Sequence, residues 1–212
     1  MEVRELANTI TVARLPLLAL IIVLLYQPAS GPRFIAAGLT VLLIVMDTLD
    51  GVVARALKQE SLIGSVLDIA ADRTVELLLW VVYADLDLIP VAIPLVVIAR
   101  GVFVDALRSV APARGLTPFG LMRSRLGKFL VKSPWLRTPY GIAKAAAFCL
   151  LATQHGLAAT TGSRVTPVTV AAQAAAWLAV LFCVTRALPV LVEGPRSLME
   201  GTGSTAASDV AG

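Results

Sequence analysis

Long stretches with hardly a charge decide what this chain can become. Six of them, each near 20 residues, follow one another: Thr9 to Gln27, Phe34 to Leu57, Gly64 to Ala84, Leu88 to Ala111, Pro139 to Ala159, and Pro167 to Val192. About 20 apolar residues in a helix cross the hydrocarbon of a bilayer. Of the 212 residues, 58% are hydrophobic and 15% charged, whereas a soluble domain carries about a quarter charged residues. In lipid the backbone must satisfy its own hydrogen bonds, which leaves helices or a closed barrel. The expectation is an all-α integral membrane protein with six transmembrane helices.

The connections alternate in charge. One side collects Arg4, Arg14, Arg55, Lys58, the long fourth connection with Arg114, Arg123, Arg125, Lys128, Lys132 and Arg137, and then Arg186 and Arg196. The other has Arg33, Asp85, Asp87 and Arg164. Lys and Arg concentrate on the cytoplasmic side, so both termini are expected there. This bias also accounts for the net charge of +4 without a nucleic-acid partner. Within the fourth connection Leu121, Met122, Leu126, Phe129 and Leu130 alternate with basic residues, the pattern of a basic amphipathic helix on an anionic leaflet. The membrane domain is expected over 1–193. From Gly194 the composition turns to Gly, Ser, Thr and Ala, which suggests a flexible tail over 194–212. The apolar run after Arg14 follows Glu2 and Glu5 and lacks an A-x-A site, so it reads as a retained helix, not a signal peptide. Cys149, Cys183 and the single histidine, His155, sit in apolar stretches and read as packing or interfacial residues.

Against this background the acids stand out. The second stretch runs thirteen uncharged residues, Phe34 to Met46, before Asp47 and Asp50. That is roughly 20 Å of helix, short of crossing a core about 30 Å thick. Asp68 and Asp72 lie on the matching half of the third stretch. An unpaired acid at such depth costs about 2.5 kcal/mol or more. Asp47 and Asp50 are i,i+3, Asp68 and Asp72 i,i+4, so each pair shares a helix face. A short turn between two antiparallel helices can bring the faces together. Four carboxylates then call for divalent cations, and oxygen-only ligands favour Mg²⁺ or Mn²⁺. Two such ions suit a diphosphate. Gly51 and Gly64 leave room for a ligand beside the backbone, and Arg55 can hold phosphate. The plainer reading is a helix hairpin in which Arg55 and Arg73 neutralise the acids, but four acids outnumber two bases.

Asp47, Asp50, Gly51, Ala54, Arg55, Gly64, Asp68 and Asp72 occupy eight fixed positions within 26 residues. This spacing resembles the signature of the CDP-alcohol phosphotransferases, without a departure, and the six-span plan extends the likeness to roughly residues 5 to 192. The resemblance implies that Asp47, Asp50 and Asp68 are metal ligands and that Asp72, near the second ion, is the general base. It implies that Gly51, Ala54, Arg55 and Gly64 line the cytidine-diphosphate site. The implied reaction moves a phosphatidyl group from CDP-diacylglycerol to a small hydroxyl acceptor and releases CMP. A homodimer is implied as well, and the expected location is a bacterial-type inner membrane with the site facing the cytoplasm.

The acceptor is read from less specific signals. Asn8, Thr9, Ile10, Thr11 and Arg14 resemble the opening of phosphatidylglycerophosphate synthases, and the region of Arg100 and Arg108 is similar to their fourth span. Gly101 stands where those synthases usually carry Glu, and the surroundings of Lys128 and Lys144 match loosely. Arg100, Arg108 and Lys144 are the candidates for binding the phosphate of glycerol 3-phosphate, or equally of inositol phosphate. The blander reading pairs Arg108 with Asp105 and lets Lys144 snorkel to the interface. Two other classes compete: an intramembrane prenyltransferase, which lacks its second acid cluster here, and an ion transporter, whose repeats are missing.

Overall fold

The computed structural model describes residues 3–57, 62–113, 134–162 and 166–209. Among them are six helices and no strand: α1 Val3–Leu25, α2 Ser30–Leu57, α3 Leu62–Asp85, α4 Ala92–Ala113, α5 Pro134–Thr161 and α6 Pro167–Asp209. Each expected stretch has its helix, with ends displaced by a few residues except in α6, which runs on from the expected Val192 to Asp209. The fourth connection, with its expected amphipathic segment, lies outside the described residues. The composition after Gly194 suggests a flexible tail, yet the described backbone stays helical to Asp209. Leu198, Met199, Glu200, Ala206 and Ala207 are good helix formers that offset the glycines there.

Among the described residues three helices are long and apolar enough to cross a membrane, over Ser30–Thr48, Thr138–Thr161 and Pro167–Pro195. A shorter apolar segment, Val12–Leu25, belongs to α1. The helices α3 and α4 do not reach this standard. The physical cause is their charge: Asp68, Asp72, Arg73 and Glu76 on α3, Arg100, Asp105 and Arg108 on α4. Large apolar side chains on all these elements face outward. Leu20, Ile35, Val41, Ile69, Leu95, Phe103 and Val170 are 48 to 65% exposed, a surface suited to lipid rather than to water.

The chain divides into two compact units, Met1–Pro94 with Lys144–Ala176, and Leu95–Ala143 with Trp177–Gly212. In the first, α1 packs on α2 and α3. Leu18, Ile21, Leu25, Leu43, Leu79 and Trp80 are all but fully buried. Trp80 meets Phe148 of α5 edge to face at 4.8 Å between centroids, and the Tyr83 hydroxyl donates to the Phe148 carbonyl at 3.1 Å. Small residues set the spacing, as membrane helices require where lipid gives no hydrophobic drive. Ala147 and Ala152 on α5 and Ala172 and Ala176 on α6 are fully buried. A Cβ on Gly156 would come within 3.1 Å of the Phe34 ring, so glycine is what lets the two helices approach there.

Local chemistry ends the elements of this unit. Thr166 and Thr169 cap α6 reciprocally, each hydroxyl accepting the other's backbone N–H at 3.3 and 3.2 Å, and Pro167 takes the first helical position. After α3 the chain turns through Asp87 at φ 56°, with Leu88 N–H returning to the Tyr83 carbonyl at 2.9 Å. In the second unit Val104 of α4 is buried with Ala187 and Val190 of α6, flanked by Leu107 and Leu191.

Candidate active site

The third helix carries Asp68, Asp72, Glu76 and Trp80 at a spacing of four, which lines them along one face. The face meets α1 and the end of α2, and there Asp47, Asp68 and Asp72 converge. They do so around a cation. Arg14 of α1 places Nη2 at 2.6 Å from Asp47 Oδ1 and 2.7 Å from Asp72 Oδ1, and Nη1 at 3.7 Å from Asp68 Oδ1. The guanidinium is 2% exposed, while the three carboxylates are 44 to 50% exposed. So the arginine is sealed inside and the acids open outward. Three carboxylates against one guanidinium leave the described cluster acidic. Its Nε and Nη1 have no hydrogen-bond partner among the described residues.

A turn further along α3, Glu76 is buried at 5% exposure. It lies 3.5 Å from Lys144 Nζ and 3.6 Å from Arg73 Nη1. Burying a carboxylate is costly unless it is paired, and these two cations pair it. Lys144 is also near enough to act electrostatically on Asp47 and Asp72. Hence Lys144 stands in an ion pair beside the acid cluster rather than snorkelling away from it.

The structure thus brings together Asp47, Asp68 and Asp72. The side chains of Asp50, Gly51, Ala54 and Arg55 lie outside the described residues, although their backbone belongs to α2. Gly64 opens α3 two residues into the helix. Arg108 is on α4 with its side chain outside the described residues. Arg100, half-buried on the same helix, has an Nε without a hydrogen-bond partner among the described residues. Two residues were missed by the sequence reading. In the sequence Arg14 reads as part of a family-like opening and as a charge before an apolar run; the expected partners of the acids are divalent cations, with Arg55 and Arg73 as counter-ions only in the plainer reading. Glu76 continues the i,i+4 series of Asp68 and Asp72, a signal present in the sequence.

A hard divalent ion takes oxygen ligands from solvent-reachable carboxylates, and the donor set fits in kind. Among the described residues, however, no group of three or more acids, histidines or cysteines stands close enough to hold a metal ion. The three carboxylates point instead at the guanidinium of Arg14.

The family model of the CDP-alcohol phosphatidyltransferases matches residues 4–193, which covers all six helices but for the end of α6. The chain belongs to the CDP-alcohol phosphatidyltransferase family, whose members are phosphotransferases acting on CDP-linked alcohols. A search of curated proteins finds no match. Membership sets aside the prenyltransferase and transporter readings.

Proposed function

We propose that this protein transfers a phosphatidyl group from CDP-diacylglycerol to glycerol 3-phosphate and releases CMP. The observation that carries the reading is the convergence of Asp47, Asp68 and Asp72, drawn from two helices, on one point within 3.7 Å. Asp47, Asp50, Asp68 and Asp72 are the residues to hold two Mg²⁺ or Mn²⁺ ions. Bound there, such ions neutralise a diphosphate and the charge that grows on its leaving phosphate. Gly51, Ala54, Arg55 and Gly64 are assigned to the cytidine diphosphate. Asp72 takes the proton of the acceptor hydroxyl. The hydroxyl oxygen forms a bond to the β-phosphorus, which is esterified to diacylglycerol. The bond from that phosphorus to the bridging oxygen breaks, and CMP leaves with the electron pair.

Arg14 has to release Asp72 for this, since a carboxylate already bonded to a guanidinium is a poor proton acceptor. Arg100, Arg108 and Lys144 are assigned to the acceptor phosphate, with Glu76 holding Lys144 in place. The acceptor signal is the phosphatidylglycerophosphate synthase-like opening around Arg14 together with these cations. In the membrane the reading has six spans, both termini cytoplasmic, the site facing the cytoplasm of an inner membrane, and a homodimer.

The test is an acceptor panel with purified protein and CDP-diacylglycerol. CMP release is scored for glycerol 3-phosphate, inositol phosphate, inositol, serine and phosphatidylglycerol. Transfer to glycerol 3-phosphate supports the assignment. Transfer to inositol phosphate keeps the chemistry and changes the acceptor. Robust transfer to free serine or inositol, with none to a phosphorylated acceptor, defeats it.

A further inference from the structure

At the end of the first unit remote from the acids lies a cavity of about 370 Å³. The first helix measures the separation. Arg14 touches the acids, and the Leu25 carbonyl accepts a hydrogen bond from Nε2 of His155, a cavity-lining residue, at 2.9 Å. Eleven residue steps of helix separate the two, about 17 Å. The lining includes Arg33, Asp87, Gln154, Thr169 and Gln173, an unusual density of polar groups for a protein so apolar.

Two features mark it as a built site. Arg33 donates from Nε to the Gln27 carbonyl at 2.7 Å, which anchors the side chain and leaves both terminal nitrogens without a partner among the described residues. Asp87 lines the same cavity, also without an ion pair among them. A cation and an anion that share a cavity without pairing suit a ligand carrying both charges. The second feature is Gln154. It is 6% exposed, and its Oε1 has no hydrogen-bond partner among the described residues. A buried carbonyl oxygen of this kind asks for a donor.

Surroundings choose the source of the ligand. Phe34 follows Arg33 in the chain and is 39% exposed; Val170 follows Thr169 and is 65% exposed. Tyr26, whose hydroxyl donates to Asp85, belongs to the same end, and tyrosine favours the level of the lipid headgroups. Acyl chains would therefore run beside the cavity mouth. The volume is at the low end for ligand sites, suited to a headgroup and too small for a whole lipid.

We propose that this cavity binds the headgroup of a zwitterionic phospholipid, its phosphate on Arg33 and its ammonium on Asp87 with Gln154 Oε1 as a further acceptor. The site is distinct from the transfer site and does not depend on the acceptor assigned there. Native mass spectrometry of the purified protein with phosphatidylethanolamine, phosphatidylglycerol and diacylglycerol tests it. Phosphatidylethanolamine adducts should be the most abundant. Arg33→Gln and Asp87→Asn should each cut them by about fivefold, as loss of one exposed ion pair does, while Asp72→Asn should leave them unchanged. Asn tolerates the backbone of residue 87, so Asp87→Asn carries the test if the other variant fails to fold. Equal adducts with phosphatidylglycerol, or adducts unaffected by both substitutions, would overturn the proposal. Thermal stabilisation by free phosphoethanolamine equal to that by the lipid would overturn the lipid source.

Discussion

Arg14 is the residue on which the acid cluster turns. It is sealed from solvent and contacts three carboxylates, so this one side chain holds the cluster together; in the proposed function a metal displaces it. Its removal should destabilise the metal-free protein. A charge-assisted hydrogen bond contributes about 1.5 to 3 kcal/mol, and the half-exposed acids put the expected loss for Arg14→Ala near the lower figure. Thermal unfolding in excess chelator should show a lower midpoint for the variant, and added Mg²⁺ should narrow the gap. An unchanged midpoint without metal would mean that the three contacts contribute nothing. Asp72→Asn should act on chemistry instead. Loss of a positioned base reduces turnover by about 10²- to 10⁴-fold, with binding of CDP-diacylglycerol retained through the other acids. Equilibrium binding measured beside turnover separates the two, and loss of both together would assign Asp72 to the binding site alone.

At the scale of elements, the helices were legible because length and polarity alone mark them. The i,i+3 and i,i+4 spacing of the acids located the face of α3 that matters. What the spacing could not show was the partner. Pairing Arg14 with residues 33 to 58 positions away is set by how α1 packs on α2 and α3, and no local pattern encodes that. Glu76 was hidden for another reason: one more acid on a charged helix looks like solvated surface until its burial is known. That burial makes a prediction. Glu76→Gln leaves Lys144 and Arg73 without their shared anion and should weaken acceptor use more than donor use. A rise of about tenfold in the acceptor KM is expected if Lys144 is displaced from the acceptor phosphate. Equal effects on donor and acceptor KM would argue that Glu76 only supports the fold.

For the whole molecule, the charges bear on the path through the membrane. Among the described residues three helices are apolar enough to span by composition alone, while α1, α3 and α4 carry Arg14, Asp68, Asp72, Glu76, Arg100 and Arg108. A wet, ion-filled cavity lets such helices cross where their composition would not. Six crossings with both termini cytoplasmic require Asp85 and Arg123 to lie on opposite faces. Single-cysteine labelling with a membrane-impermeant reagent should modify position 85 from outside and position 123 only after permeabilisation. Labelling of both from the same side would refute the six-span path without touching the family assignment. The central claim, metal-dependent transfer at the convergent aspartates, has a more direct test: CMP release by purified protein from CDP-diacylglycerol and glycerol 3-phosphate. The account predicts CMP in step with phospholipid product, lost in excess chelator and in Asp72→Asn; full turnover under either condition would contradict it.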